Sequence, residues 1–209
     1  MSEESAVVFV VDDDHAVRAA LCRLVESAGY RVLAFGSAAE FLQSEWPDCP
    51  GCLVLDLRLP DIDGLELQKE LAGKDAPPIV FITGHGDIPS SVRAMKAGAI
   101  EFLAKPFGDE ELMGAVEAGI ALDRTSRQKR LEFAELRKRY RLLTPREREV
   151  LSFVVAGLAN KQAAGELHIA ENTIAVHRGQ IMRKMGAQSL AELVRVADKL
   201  GIQPIGPPT

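Results

Sequence analysis

With 209 residues the chain is longer than most single domains and too short for two large ones, so one medium domain joined to a smaller one is expected. Its 47% hydrophobic and 26% charged content suits a globular protein, no run of ~18 apolar residues could cross a bilayer, and the acidic start Met1-Ser2-Glu3-Glu4 is unlike a secretory signal, so a cytoplasmic location is expected. The net charge of −5 conceals an asymmetry: residues 1–122 hold 9 Lys/Arg against 21 Asp/Glu, residues 123–141 hold 8 against 3, and residues 142–209 hold 8 against 6, so a polyanionic partner suits only the rear half.

Short apolar runs alternate with amphipathic stretches over the first 105 residues, which predicts a doubly wound, five-stranded parallel α/β sheet. The predicted strands are Val7–Val11, Tyr30–Phe35, Cys52–Leu57, Ile79–Ile82 and Phe102–Ala104, and the helices between them His15–Ala28, Ser37–Gln43, Leu65–Leu71 and Ile88–Ala97. Cys49 and Cys52 have redox-motif spacing but run straight into an apolar strand, where a dithiol lacks the helix N-terminus that stabilises its thiolate; two free thiols are expected. A further helix starts near Asp109. The stretch 123–141 contains no Pro or Gly and reads as a helix or helical linker, with Leu131, Phe133, Leu136 and Tyr140 as its apolar positions and Gly114 and Gly119 as weak points before it.

Thr144, Pro145 and Glu147 form a capping box that opens a small all-α domain over residues 142–201, with helices near Pro145–Ala156, Asn160–Leu167, Glu171–Met185 and Ser189–Leu200. The remaining residues, 202–209, are Pro-rich and expected to be a flexible tail.

In open parallel sheets, ligands bind beyond the carboxyl ends of the strands where the winding reverses. Asp12, Asp13 and Asp14 follow the first strand, Asp56 ends the third, Thr83 follows the fourth and Lys105 the fifth, so all should meet at one edge. Converging carboxylates repel unless a cation lies among them; Mg²⁺ fits because it takes few carboxylates plus water and a phosphoryl oxygen. Lys105 supplies a positive charge and Thr83 a hydroxyl for a phosphoryl group, and a carboxylate can be the nucleophile. Asp14 reads as a helix cap.

The segments Val10-Val11-Asp12-Asp13-Asp14, Leu55-Asp56-Leu57-Arg58-Leu59-Pro60-Asp61-Ile62-Asp63-Gly64, Thr83-Gly84-His85-Gly86 and Lys105-Pro106-Phe107 resemble the receiver domain of bacterial two-component response regulators, across residues 5 to about 122, which makes residues 1–122 the expected receiver domain. The resemblance implies that Asp56 accepts a phosphoryl group from a sensor histidine kinase. It implies that Asp12, Asp13, Asp56 and the backbone carbonyl of Arg58 surround Mg²⁺, that Thr83 and Lys105 contact the phosphoryl group, and that the Lys105–Pro106 peptide is cis. By the same likeness Phe102 is a switch residue that turns inward as Thr83 is drawn to the phosphoryl group, and the region from Ile88 to about Leu122 is where active receivers form a homodimer.

In the rear domain, Asn160–Leu167, the turn His168-Ile169-Ala170 and Glu171–Met185 have a helix-turn-helix layout. At 100° per residue, Ile174, Ile181 and Met185 share a core face; Asn172, Val176, Gly179 and Arg183 lie opposite, with Thr173, Ala175 and Gln180 at the margins. Val176 could meet a thymine methyl and Asn172 an adenine edge, while Lys161, Arg178, Arg183 and Lys184 suit phosphates. The segments 143–151, 157–161 and 171–178 resemble the LuxR/NarL-type DNA-binding domain, and the whole chain is similar to FixJ-type regulators. That likeness implies double-stranded promoter DNA and RNA polymerase as partners, and pairing through Leu190, Leu193 and Val194. Members commonly carry Lys at the position of Ala175 and often a basic residue near Gly179, a departure that bears on base contacts.

Two rival readings are weaker. Haloacid-dehalogenase phosphatases also use an Asp nucleophile with Mg²⁺, but they require Asp-x-Asp, and here Arg58 stands at the second position; a non-enzymatic switch is expected. RNA binding lacks an aromatic platform, since Phe153 is the only aromatic after Tyr140.

Overall fold

The computed structural model describes residues 6–84 and 88–205. His85 and Gly86 of the quoted motif, the acidic start and residues 206–209 of the expected tail lie outside these. The chain divides into two compact units, one ending at Arg127 and the other beginning at Gln128.

In the first unit β1 (Val7–Val11), β2 (Arg31–Phe35), β3 (Gly51–Asp56), β4 (Ile79–Thr83) and β5 (Glu101–Ala104) form a parallel sheet in the order β2-β1-β3-β4-β5. Every residue of β1, β3 and β4 is buried, as their unbroken apolar runs require for strands covered on both faces. Alternation along them feeds two cores. Phe9, Leu53, Leu55 and Phe81 pack with Phe41, Leu67 and Leu71, which belong to α2 (Ala38–Gln43) and α3 (Gly64–Leu71). Val8, Val10, Val54 and Ile82 pack with Leu21 and Val25 of α1 (His15–Ser27) and with Leu112 and Val116 of α5 (Asp109–Arg141). Asp14 caps α1, its Oδ1 accepting from Ala16 N at 2.7 Å and Val17 N at 3.2 Å.

Helix α5 is continuous over 33 residues and passes through both glycines that sequence marks as weak points. Gly119 is required where it stands: a Cβ there would lie 2.6 Å from the Sγ of Cys52 on β3, so the helix can approach the sheet this closely only without a side chain. Cys49 and Cys52 are not joined in a disulfide, and burial beside Asp123 pushes the Cys52 thiol up to about 12, which suits a packing residue and not a redox one.

The second unit holds α6 (Pro145–Val155), α7 (Asn160–Leu167), α8 (Glu171–Met185) and α9 (Leu190–Lys199) around Leu151, Phe153, Ile174, Ile181, Met185 and Leu193. The predicted capping box is present: Glu147 N–H donates to Thr144 Oγ1 at 3.2 Å and Thr144 N–H donates to Glu147 Oε2 at 2.7 Å. His168 ends α7 with φ of 52°, a left-handed turn that redirects the chain into α8. Of the expected linker positions, Tyr140 packs against this core, whereas Leu131 is exposed.

Candidate functional site

The sheet reverses its winding between β1 and β3, and the strand register determines what meets there. Val11 pairs with Leu55, so the next residues on the two strands are Asp12 and Asp56. Asp56 pairs with Ile82, and Thr83 with Ala104, so Thr83 and then Lys105 follow at the same edge. Four separate strand ends thereby deliver two carboxylates, a hydroxyl and an amine to one place.

Lys105 Nζ lies 2.7 Å from Asp12 Oδ2 and 3.0 Å from Asp56 Oδ1, bridging the two acids. Asp12 and Thr83 are each 1% exposed and Asp56 7%. Burial pushes the Asp56 carboxyl above its ordinary value of 3.8, although the Lys105 ammonium draws it the other way. Burial acts to lower Lys105, but its bonds to Asp12 and Asp56 prevail and hold it above its usual range.

The loop after β3 is organised around Asp56: Arg58 N–H donates to its Oδ2 at 3.0 Å, and Asp63 caps α3 by accepting from Leu65 N at 2.8 Å. Gly64 lets that loop close over the strand, since a Cβ would stand 2.8 Å from the Asp56 carbonyl oxygen. Asp61, to which sequence reasoning gave no role, accepts from Ala39 N at 2.8 Å and ties this loop to the start of α2. Nothing in its local spacing signals that bond, which spans 22 residues.

Asp13 is exposed, and among the described residues no three His, Cys, Asp or Glu side chains converge closely enough to form a metal cluster by themselves. Phe102 is half-buried, its ring centroid 6.1 Å from that of Phe81. The Lys105–Pro106 peptide is cis. On α4 (Ile88–Lys96), Ile88 is 80% exposed, and Val92 and Met95 are also outward.

In the second unit Ile174, Ile181 and Met185 are buried, while Asn172, Thr173, Ala175, Val176, Gly179 and Arg183 are exposed, Val176 at 61%. Lys161, at the start of α7, is exposed. Arg178 donates to the Leu158 carbonyl at 3.3 Å and Arg183 to Gln180 Oε1. Lys184 is engaged inside the domain: its Nζ donates to Glu147 Oε1 at 2.8 Å and Oε2 at 2.7 Å. Glu147 is 4% exposed; burial acts to raise its carboxyl, but Lys184 and Thr144 hold it below its ordinary value. Leu190 and Val194 are exposed on α9, whereas Leu193, expected beside them at a pairing face, is a core residue at 1%.

Residues 8–117 match the response regulator receiver domain, and residues 141–197 match the luxR family of bacterial regulatory proteins. The chain belongs to the response regulators with a LuxR-type output domain. It is 52% identical to nodulation protein W of Bradyrhizobium diazoefficiens, over 94% of this chain and 87% of that one. Transcriptional regulatory protein FixJ of Azorhizobium caulinodans is 48% identical, over 96% of each chain. Among solved structures, response regulator StyR has 50% identity and a TM-score of 0.83, covering 93% of this chain and 99% of that one. Full-length FixJ from B. japonicum has 41% identity and a TM-score of 0.54, over 94% and 97%. A receiver joined to a LuxR-type DNA-binding domain makes this response regulator a phosphorylation-controlled regulator of transcription. Among the described residues no helix is long and apolar enough to cross a membrane.

Proposed function

We propose that a sensor histidine kinase phosphorylates Asp56 in a Mg²⁺-dependent reaction, and that the phosphorylated chain dimerises and binds promoter DNA in the cytoplasm, where it engages RNA polymerase. The observation that carries this reading is the Lys105 ammonium bridging buried Asp12 and Asp56 at the switch point of the sheet.

An Asp56 carboxylate oxygen attacks phosphorus, the P–N bond to the kinase imidazole breaks, and an acyl phosphate forms while the nitrogen keeps the bonding pair. Lys105, held protonated by its two carboxylates, faces the phosphoryl oxygens once Asp56 is esterified, and the Thr83 hydroxyl donates to another of them. The donor set fits a hard divalent ion: two converging carboxylates, exposed Asp13 and the Arg58 carbonyl would supply oxygens, with water for the remaining positions. When bound, Mg²⁺ offsets negative charge on the phosphoryl group.

Thr83 moving toward the phosphoryl group opens space beside Phe81, and half-buried Phe102 turns into it, changing the surface that carries Ile88, Val92 and Met95. Output uses the outward face of α8: Asn172, Thr173, Ala175, Val176 and Gly179 toward base edges, Lys161, Arg178 and Arg183 toward phosphates, and Lys184 steadying the helix from within. Val176 suits a thymine methyl, while Ala175 and Gly179 add no charge to the groove face.

Incubation with acetyl phosphate and Mg²⁺ tests this directly. The wild-type chain should form an acid-stable, base-labile phosphoprotein, dimerise and bind duplex DNA more tightly, and Asp56→Asn should do none of these. An Asp56→Asn chain that still labels overturns the reading.

A further inference from the structure

A second concentration of charge lies in the C-terminal unit, on residues that do not belong to α8. A cavity of about 490 Å³ is lined by Phe133, Arg137, Tyr140, Arg141, Arg148 and Leu200, from the end of α5, from α6 and from the residue after α9. Three of its walls are guanidinium groups and none is acidic. The acids on the same turns of α5 are engaged elsewhere: Glu135 accepts from Arg139 at 3.0 Å, and Glu132 from Gln128 at 3.1 Å.

Two of the three arginines sit over aromatic rings. The Arg137 guanidinium carbon lies 5.8 Å from the Phe133 centroid and that of Arg148 5.2 Å from the Tyr140 centroid, while Arg148 Nη2 donates to the Arg141 carbonyl at 3.3 Å. Arg148 Nε is buried without a hydrogen-bond partner, the single buried side-chain polar atom so found among the described residues. Buried donors nearly always have a partner, and cations gathered around one space repel unless an anion lies among them.

We propose that this cavity binds a phosphate-bearing small molecule, and that a nucleotide is the ligand it fits. Planar guanidinium forks match phosphate oxygens two at a time, the aromatic walls offer a surface for a flat base, and the volume is within the range of small-ligand pockets. None of its lining residues belongs to the Asp56 cluster or to the outward face of α8, so its occupancy can be read without altering either.

Isothermal titration of the full chain at ~100 mM salt, with ATP, pyrophosphate and adenosine as separate probes, tests this. ATP should bind one per chain and more tightly than pyrophosphate, and adenosine should not bind detectably. The double variant Arg137→Gln/Arg141→Gln should lose affinity by roughly tenfold or more with an unchanged unfolding temperature, because both side chains are on the helix surface. Asp56→Asn and Arg183→Ala should bind ATP as the wild type does. No heat of binding, an affinity the double variant keeps, or a loss confined to Arg183→Ala would each overturn the site. Pyrophosphate equal to ATP would refute the nucleotide, and adenosine equal to ATP would refute the phosphate.

Discussion

Replacing Lys184 by Met separates two roles for one residue. From sequence Lys184 is a phosphate contact; in the fold its ammonium makes two bonds to Glu147, at 2.8 and 2.7 Å. Methionine keeps most of the side-chain volume and removes the charge, leaving a carboxylate on a residue 4% exposed with only Thr144, whose N–H stands at 2.7 Å, to donate to it. Removing one partner of a buried pair costs about 3–5 kcal/mol, and the Lys184 side chain, 25% exposed, admits enough water to bring that to roughly 2–3 kcal/mol. For a domain of this size each kcal/mol moves the midpoint by about 4–8 °C, so the C-terminal transition should fall by about 10–20 °C in a circular dichroism melt. Glu147→Gln added to Lys184→Met should recover much of the loss, because no buried charge remains. The pH dependence carries the same sign: a carboxyl held below its ordinary value contributes stability above its unfolded pKa that is lost as pH falls through its folded pKa, and Lys184→Met should flatten that acid limb. An unchanged melting temperature with weakened DNA affinity would refute the structural role and restore the phosphate contact.

Asp56→Asn in Mg²⁺-free buffer should be at least as stable as the wild type at pH 7: a carboxyl raised by burial favours its protonated form in the fold, so ionisation costs stability as pH rises through the range above 3.8, and a urea titration reads the difference. Gly119→Ala should destabilise the receiver by roughly 1–3 kcal/mol despite alanine's better helix propensity, since its Cβ would stand 2.6 Å from Cys52 Sγ; Cys52→Ala in the same chain should return part of it in thermal melts. Arg183→Ala should weaken DNA binding across sequences and reduce the salt slope by about 1, as fluorescence anisotropy at several salt concentrations would show. Val176→Ala should cost about 1 kcal/mol of preference for one base pair without altering stability, because the side chain is 61% exposed.

Much of this was legible in the chain itself because the informative residues sit at strand ends. An apolar run that stops at Asp56 announces both the strand and the functional edge, and the capping box at Thr144 and Glu147 announces a helix start through interactions three residues apart. What sequence could not show depends on contacts between distant segments. Lys184 and Glu147 are 37 residues apart, and a lysine on the flank of a recognition helix reads as a phosphate ligand until its partner is seen. Gly119 read as a weak point in the helix because nothing local reveals that Cys52 passes beneath it. Leu193 was grouped with Leu190 and Val194 by its apolar character, but on α9 only the latter two face outward. Arg148 gave no signal of its own; its Nε is left without a hydrogen-bond partner while the same side chain sits over the Tyr140 ring and donates to the Arg141 carbonyl.

In the proposed reaction the cluster of Asp12, Asp56 and Lys105 receives a phosphoryl group on Asp56. Reductive trapping of the acyl phosphate with borohydride, followed by peptide mass spectrometry, reads the acceptor directly. Modification confined to the peptide's Asp56 is the predicted result; a modified Asp12 or Asp13, or none in a chain whose DNA affinity still rises with acetyl phosphate, would contradict it.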